Sequence, residues 1–461
     1  MEAESLPGLP TQTRMCEPWT RCPRPNLCLP YHLGRTHMLS NPLPSRCNMA
    51  RLLFNAGPIA HLSGNGALSG HSMLDESLVY PKGMALLIKN ETIHKIGHTE
   101  ELLEEYQDAQ LLDLEGRAVI PGLVDAHAHL LWDGDRSREV SWKQQGKSYR
   151  QIADLGGGIA STVAATRKAN EGRLLHLGVE RLREALRHGT THMEVKSGYG
   201  LNTECELRLL EIAEVLSAQS NLPSLDPTWL GAHAAAPGLT IEQYHEEILS
   251  EQLPQVLEQG IARSADVFCE PGWFNVEQSE EILQQSRAGG LDLRIHIDEF
   301  VDGGGADLAA ELKVTSADHA HHTNDESRQA MTDAGVNTGF LPGTPYAMGE
   351  NYPPFQSCIE NEWIWSIGSD FNPNCRTMSL PFLASVLVQR NNVDPLAALV
   401  ACTRNPAQTT PHPSELTHGQ IVEGGIANLN ILESEFWQAW CLQPGHSPFS
   451  ATIIEGQLIS H

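Results

Sequence analysis

His127 and His129 stand one residue apart at the end of the apolar run Val119-Ile120-Pro121-Gly122-Leu123-Val124. Residues i and i+2 of an extended chain point to the same side, so a strand ending here presents two imidazoles to one point. Neutral imidazole is the commonest protein ligand for a divalent metal. A His-x-His pair in a loose turn says little, whereas a pair at the end of a rigid element reads as two ligands. Two ligands leave a site incomplete, so the remaining groups must be carried to this point by other elements.

The chain beyond 129 alternates strand and helix signals, the pattern of a parallel sheet. Strands are expected at 190–195, 227–232, 265–269, 291–297, 314–317, 336–341 and 363–368, which with the opening run make eight. Between them lie helices with defined ends. Leu175, Val179, Leu182 and Leu186 share one face of a helix stopped by Gly189, while Thr203 with Glu206 and Thr240 with Gln243 read as capping boxes. Eight strand-helix units are the count of an α/β fold of the TIM-like (β/α)8 barrel type, expected over 119–410. Short β-like runs flank it, at 85–89 and 93–97 within 49–118, and at 427–432 and 451–456 within 411–461. Neither set can bury a core alone, so both chain ends are expected to pair into one small β-sandwich domain. Residues 1–48 hold eight prolines and no apolar periodicity, which fits a disordered extension. Those prolines also argue against the amphipathic helix of a transit peptide.

In such barrels the active site is built at the C-terminal ends of the strands. There the sequence places His127 and His129, then Lys196 and Tyr199, His233, Glu270, the group His296, Asp298 and Glu299, then Asp318 and His319, and finally Asp370. Costly polar groups would not gather repeatedly at one end for stability's sake. His127, His129, His296 and Asp370 suit one zinc or iron ion with a position open to water, whose pKa such a cation lowers towards neutrality. Glu299, just past its strand, is placed to pass a proton to a leaving nitrogen, and His319 to hold the developing oxyanion.

Pro121 to His129, Gly134-Asp135-Arg136, Gly146-Lys147-Ser148-Tyr149, Gly156-Gly157-Gly158-Ile159, Glu194-Val195-Lys196-Ser197-Gly198-Tyr199-Gly200, Gly231-Ala232-His233, Asp266-Val267-Phe268-Cys269-Glu270, His296-Ile297-Asp298-Glu299-Phe300 and Ser369-Asp370-Phe371-Asn372-Pro373 together resemble the imidazolonepropionase family of the amidohydrolase superfamily. The resemblance runs from about residue 51 to the C-terminus. The first motif indicates only the superfamily, while Glu-Val-Lys-Ser-Gly-Tyr-Gly and Asp-Phe-Asn-Pro are more specific. It implies hydrolysis of 4-imidazolone-5-propanoate to N-formimidoyl-L-glutamate in histidine breakdown, with one metal on His127, His129, His296 and Asp370, and a homodimer. It further implies that Arg136, Tyr149, Tyr199 and His233 hold the substrate, that Glu299 faces its ring, and that Asn372 with Asn374 and Cys375 forms the product-side loop. Catalytic roles fall to Glu299, Asp370 and His319. Two stretches depart from the family: Asn374-Cys375-Arg376, where small residues are usual, and 403–411, whose two prolines should shorten the expected helix.

The rival enzyme reading is a superfamily deaminase of a cytosine-like or guanine-like ring, against which Arg136 and Tyr199 favour a substrate with a carboxylate. A non-catalytic scaffold would have lost ligands, and all four are present. A carbamylated Lys196 bridging two metals is a third, weaker reading, since the lysine precedes a Gly-rich turn. Neither glycine run, 156–158 nor 303–305, is followed by Gly-Lys-[Ser/Thr], so both read as turns, the first able at most to help hold an anion at a helix start. A net charge of -26 argues against nucleic acid or an anionic membrane as partner. No apolar run approaches a membrane span, and no signal-peptide pattern is present. Cys16, Cys22, Cys28 and Cys47 are too widely spaced for paired zinc ligands, and the other six of the ten cysteines read as buried thiols of a cytoplasmic protein.

Overall fold

The computed structural model describes residues 50–147 and 149–460; the proline-rich extension and its four cysteines lie outside them. Eight parallel strands form the central sheet in sequential order. They are labelled β1 (Leu123–Asp125), β2 (Thr190–Lys196), β3 (Ser224–Ala232), β4 (Ser264–Cys269), β5 (Asp292–Ile297), β6 (Ser316–His319), β7 (Asn337–Phe340) and β8 (Trp365–Ile367). All eight strands of the expected barrel exist, with boundaries moved by a few residues. The first and last strands meet just beyond their ends, where His129 N donates to Phe371 O at 2.9 Å, Asp370 N donates to His127 O at 3.0 Å, and Ala128 bridges Phe371. The seam that closes the barrel therefore runs through the His-x-His motif. A side chain at Gly368 would come within 2.8 Å of the His127 Cβ, so this approach requires glycine.

The opening run is two strands rather than one. Val119–Pro121 pairs with Leu429–Leu432 in another sheet, and the chain crosses into the barrel at Gly122, where a Cβ would lie 2.2 Å from the Thr191 hydroxyl oxygen. Periodicity cannot show this break, because both halves are fully buried and apolar. Val119–Pro121 belongs to a six-stranded sheet that also holds Ile59–Ala60, Val79–Tyr80, Phe449–Ile454 and Gln457–Ser460. A four-stranded sheet of Thr92–His98, Met84–Lys89, Ala50–Phe54 and Gln110–Asp113 faces it. Leu53, Leu86 and Ile93 from the smaller sheet and Ile59, Val119, Leu429 and Ile453 from the larger share one buried cluster, the sandwich expected from the two chain ends.

The helix Glu171–Arg187 ends before Gly189 in a left-handed turn, and Thr240 with Gln243 forms the expected capping box. The other expected box is absent. Asn202 caps Thr203–Ser217, and Glu206 turns away to accept the N–H groups of Gly198, Gly200 and Leu201 at 2.7–2.8 Å. A buried carboxylate with three such donors makes the loop after β2 rigid. Pro406 limits the chain after helix Pro395–Ala401 to one short 3-10 turn. Cys205, Cys269, Cys358, Cys375, Cys402 and Cys441 are buried free thiols, as expected. No helix among the described residues is long and apolar enough to cross a membrane.

Candidate active site

His127, His129, His296 and Asp370 meet at the C-terminal mouth of the barrel. The imidazole centroids of 127 and 129, 127 and 296, and 129 and 296 lie 5.3, 4.5 and 5.6 Å apart. Asp370 Oδ1 sits 3.7 Å from His127 Nε2 and 3.5 Å from His129 Nε2. Asp318 Oδ2 is 2.7 Å from His127 Nδ1, and Asp266 Oδ1 is 3.0 Å from His296 Nδ1. Each carboxylate accepts a hydrogen bond from Nδ1–H and so turns the Nε2 lone pair inwards. His127 Nε2 and His296 Nε2 are buried without a hydrogen-bond partner. Unpaired buried nitrogens are costly, and the ligand atoms of His127, His129 and Asp370, and those of His127, His296 and His319, lie within 4.8 Å of one another, an arrangement that fits a metal ion. Burial holds the pKa of His127 and His129 well below the usual value, which keeps them in the neutral, ligating form.

Beneath this set lies a layer of charge inside the barrel. Lys196 Nζ donates to Asp266 Oδ2 at 2.6 Å and Glu194 Oε1 at 2.9 Å, and lies 3.9 Å from Asp318 Oδ2. Arg294 Nε is 3.0 Å from Glu194. Burial opposes the Lys196 charge, but Asp266, Glu194 and Asp318 outweigh it and raise its pKa. Lys196 thus favours its charged form, bonded to Glu194 and to Asp266, the carboxylate that orients His296, and this disfavours carbamylation. Spacing alone did not reveal this layer, because its members are spread over four strands: Glu194 and Lys196 on β2, Asp266 on β4, Arg294 on β5 and Asp318 on β6.

Above the four residues opens a cavity of about 670 Å³. Tyr199 and His233 line it, with His233 stacked on His129 at 5.1 Å and His233 Nδ1 2.9 Å from Gly198 O. Glu299 and His319 also line it, 3.7 Å apart, with His319 in a left-handed backbone turn. Glu270 accepts the N–H groups of Glu299, Phe300 and Val301 at 2.9–3.1 Å and so fixes the loop that carries Glu299. Burial, then the charges of Asp370 and Glu270, push the Glu299 pKa well above the carboxylate range. Asp298 looks away from the cavity, bonded to Gly303 N and the Thr323 hydroxyl.

Arg136 is in the cavity wall, but its two-pronged grip is on Glu139: Nε to Oε1 and Nη2 to Oε2, both 2.8 Å. Gly158, the first residue of helix Gly158–Lys168, donates its N–H to the same carboxylate at 2.8 Å. The anion at the first glycine run is therefore a side chain of the protein. Burial opposes its charge, yet Arg136 and the Gly158 N–H keep the Glu139 pKa below the ordinary range. Lys143, one turn on, lines the cavity and donates to Asn374 Oδ1. Neither Glu139 nor Lys143 was picked out in the sequence, although Arg136-x-x-Glu139 has helical i,i+3 spacing. Also unforeseen are Thr344, whose hydroxyl donates to Asp370 Oδ2, and an aromatic wall in which Trp273 stacks on Phe300 at 5.5 Å and meets Phe268 at 5.1 Å.

Asn372 organises the loop after Asp370, its Oδ1 accepting from Asn374 N at 2.7 Å and Cys375 N at 3.0 Å. Asn372 and Asn374 line the cavity. Cys375 does not: its thiol is buried behind the loop, 2.7 Å from where a Gly343 Cβ would lie. Its sulfur fills the space left by the glycine. Tyr149 opens the short helix Tyr149–Asp154, and its side chain lies outside the described residues.

No family model matches the chain. An imidazolonepropionase of Haloarcula marismortui is 37% identical over 379 residues, 82% of this chain and 90% of that protein. The chain belongs to the imidazolonepropionase family. Family members from Symbiobacterium thermophilum and Parabacteroides distasonis are 37% and 34% identical, covering 83% and 89% of this chain and 91% and 99% of their own length. As an imidazolonepropionase family member it is a hydrolase on the amidohydrolase fold. Among solved structures, a Xaa-Pro dipeptidase superposes with a TM-score of 0.65 at 14% identity, over 89% of this chain and 100% of the other. E. coli guanine deaminase superposes at 0.62 and 13%, over 89% and 99%, and a Xanthomonas campestris adenosine deaminase with bound zinc at 0.61 and 15%, over 89% and 92%. At such identities these likenesses show the fold alone, and the deaminase activities of those proteins do not bear on this chain's substrate.

Proposed function

We propose that the chain hydrolyses the ring amide of 4-imidazolone-5-propanoate to N-formimidoyl-L-glutamate in histidine degradation, with one zinc or iron ion held by His127, His129, His296 and Asp370. The carrying observation is a single cavity with convergent, unpaired imidazole nitrogens at its floor and the cations Arg136 and Lys143 in its wall. The ion would lower the pKa of water and polarise the ring carbonyl. Asp370 accepts a proton from the attacking water, the bond between carbonyl carbon and ring nitrogen breaks, and Glu299 delivers a proton to that nitrogen. The water oxygen ends in the new carboxylate. His319 donates a hydrogen bond to the developing oxyanion. Tyr199 and His233 form the wall against which the ring lies, Tyr149 is assigned to the same wall by the family pattern, and Asn372 and the backbone of Asn374 and Cys375 hold the product side.

The propanoate carboxylate is assigned to the positive field of Arg136 and Lys143, with Glu139 holding the guanidinium in place. Arg136→Ala is expected to raise KM about tenfold to a hundredfold, the worth of one charge-assisted hydrogen bond, with kcat changed by only a few-fold. An unchanged KM would remove Arg136 from substrate binding. Loss of the substrate's ultraviolet absorbance without release of ammonia tests the reaction against the deaminase alternative, and metal analysis of the active protein tests zinc against iron. The enzyme is further proposed to be a cytoplasmic homodimer. Its buried free thiols support a reducing compartment, and the dimer rests on the family resemblance.

A further inference from the structure

Beside the catalytic cavity, on the same rim of the barrel, a second group of ligand-type side chains converges. His321 and His322 follow β6 directly, and Glu350 follows helix Gly343–Met348, which leads out of β7. One ligand atom from each of the three lies within 4.8 Å of the other two, the mutual reach also found for His127, His129 and Asp370. Neighbouring residues of an extended chain point to opposite sides, yet the ring centroids of His321 and His322 are only 4.7 Å apart. The turn that brings them together is strained and firmly held. His319 and Ala320 are both left-handed, at φ +67° and +46°, a conformation that non-glycine residues keep where surrounding structure enforces it. Ala320 N donates to Ile297 O and His322 N to Asp298 O, both at 2.9 Å, and Arg328 Nη2 donates to Ala320 O at 2.6 Å.

Among the described residues, the side chains of His321, His322 and Glu350 make no hydrogen bond or ion pair with the protein. His321 is half-buried, while His322 and Glu350 are exposed. Burial, and after it His322 and Arg328, brings the His321 pKa down to about 4, so near neutral pH its ring keeps a lone pair for an ion. The Arg328 charge opposes a cation here, but Asp325, Asp298 and Asp302 lie around it and offset that charge. A narrow crevice runs between His321 and Glu350, and Glu299, His319 and Thr344, which line it, also line the catalytic cavity. The group therefore stands at the back of the catalytic cavity and is open to solvent.

We infer that His321, His322 and Glu350 form a second, exchangeable site for a divalent first-row transition ion such as zinc, which ties the loop after β7 to the rigid turn after β6. Two imidazoles and one carboxylate suit such ions rather than calcium or magnesium, which take oxygen ligands. Three protein ligands leave a coordination position for water. Because its ligands reach solvent, this site fills and empties with the free ion, unlike the buried set of His127, His129, His296 and Asp370. Thr344, Tyr346 and Met348, on the helix that Glu350 follows, line the catalytic cavity, so an ion held here restrains that wall. The inference does not depend on which substrate the cavity takes.

The test is a calorimetric titration of zinc chloride into the full-length holoenzyme, its catalytic centre already loaded. Losing an outer partner of a metal ligand costs about tenfold to a hundredfold in affinity, so losing a ligand itself should weaken this site by about tenfold or more. The wild type is accordingly expected to take up about one zinc ion more than His322→Gln or Glu350→Gln at the same free concentration. Both side chains are exposed, so the substitutions leave the fold intact. All three proteins share the catalytic centre and the cysteines of the extension, so the difference between them reads this site alone. Equal zinc uptake by the wild type and either variant would overturn the inference.

Discussion

Asp370→Ala is expected to lower kcat by about four orders of magnitude or more while leaving the protein folded. Asp370 carries two assignments, ligand and proton acceptor, and general acid-base catalysis alone is worth about 10²–10⁴, with the activation of water by the ion added to it. The geometry joins both roles in one carboxyl group. Oδ2 is taken by the Thr344 hydroxyl, and Oδ1 is left facing His127 and His129. The backbone at Asp370 is in the left-handed region, φ +47°, which a non-glycine residue adopts at a cost where surrounding structure enforces it. Here the barrel seam enforces it. Stability should suffer little, since the lost Thr344 bond is offset by relief of the repulsion that raises the Glu299 pKa. The decisive comparison is single-turnover rate against bound metal and melting temperature. A variant that turns over within tenfold of wild type would remove Asp370 from both roles, and His127→Ala should behave alike if the two are ligands to one ion.

How much of this site could be read in the sequence depends on how locally each residue's surroundings are encoded. His127 and His129 are legible because strand geometry alone makes i and i+2 neighbours. His296 and Asp370 are legible once eight strands are counted, because parallel strands bring their C-terminal ends to one rim. Glu206 was misread because an acid three residues after a threonine fits a capping box equally well, and only the loop from Ser197 to Leu201 reveals that its partners lie upstream. Arg136 was placed correctly in the cavity wall but its partner was not, since a guanidinium suits a protein carboxylate as well as a substrate's. The break at Gly122 left no trace, because a sandwich strand and a barrel strand buried on both faces share one apolar signature. Least legible was the floor of charge below the metal ligands. Its members are spread over four strands, and their meaning exists only in the register that sets His296 beside Asp318 and Asp266 beside Arg294.

That floor yields the second large expected effect. Lys196→Met should destabilise the protein by about 3–5 kcal/mol, the cost of removing one partner from a buried ion cluster. Glu194 and Asp266 would keep their charges without the ammonium between them. Burial alone works to raise the Asp266 pKa, and it is His296 and Lys196 that hold it far below the usual carboxylate value; without Lys196 its ionised form becomes expensive. Metal affinity should fall about tenfold to a hundredfold as well, because Asp266 and Asp318 fix the rings of His296 and His127 from beneath. These two consequences separate in a second variant. Lys196→Met with Asp266→Asn removes one of the stranded charges, so stability should partly recover while metal affinity stays low, the amide being a weaker partner for His296 Nδ1–H. Denaturant unfolding and metal competition read the two quantities independently. Added bicarbonate should leave the wild-type metal stoichiometry unchanged, because an ammonium ion already bonded to two carboxylates has no lone pair with which to attack carbon dioxide. If Lys196→Met melted within a degree of wild type and held its metal as tightly, the orientation of the histidines would have to come from the strands alone.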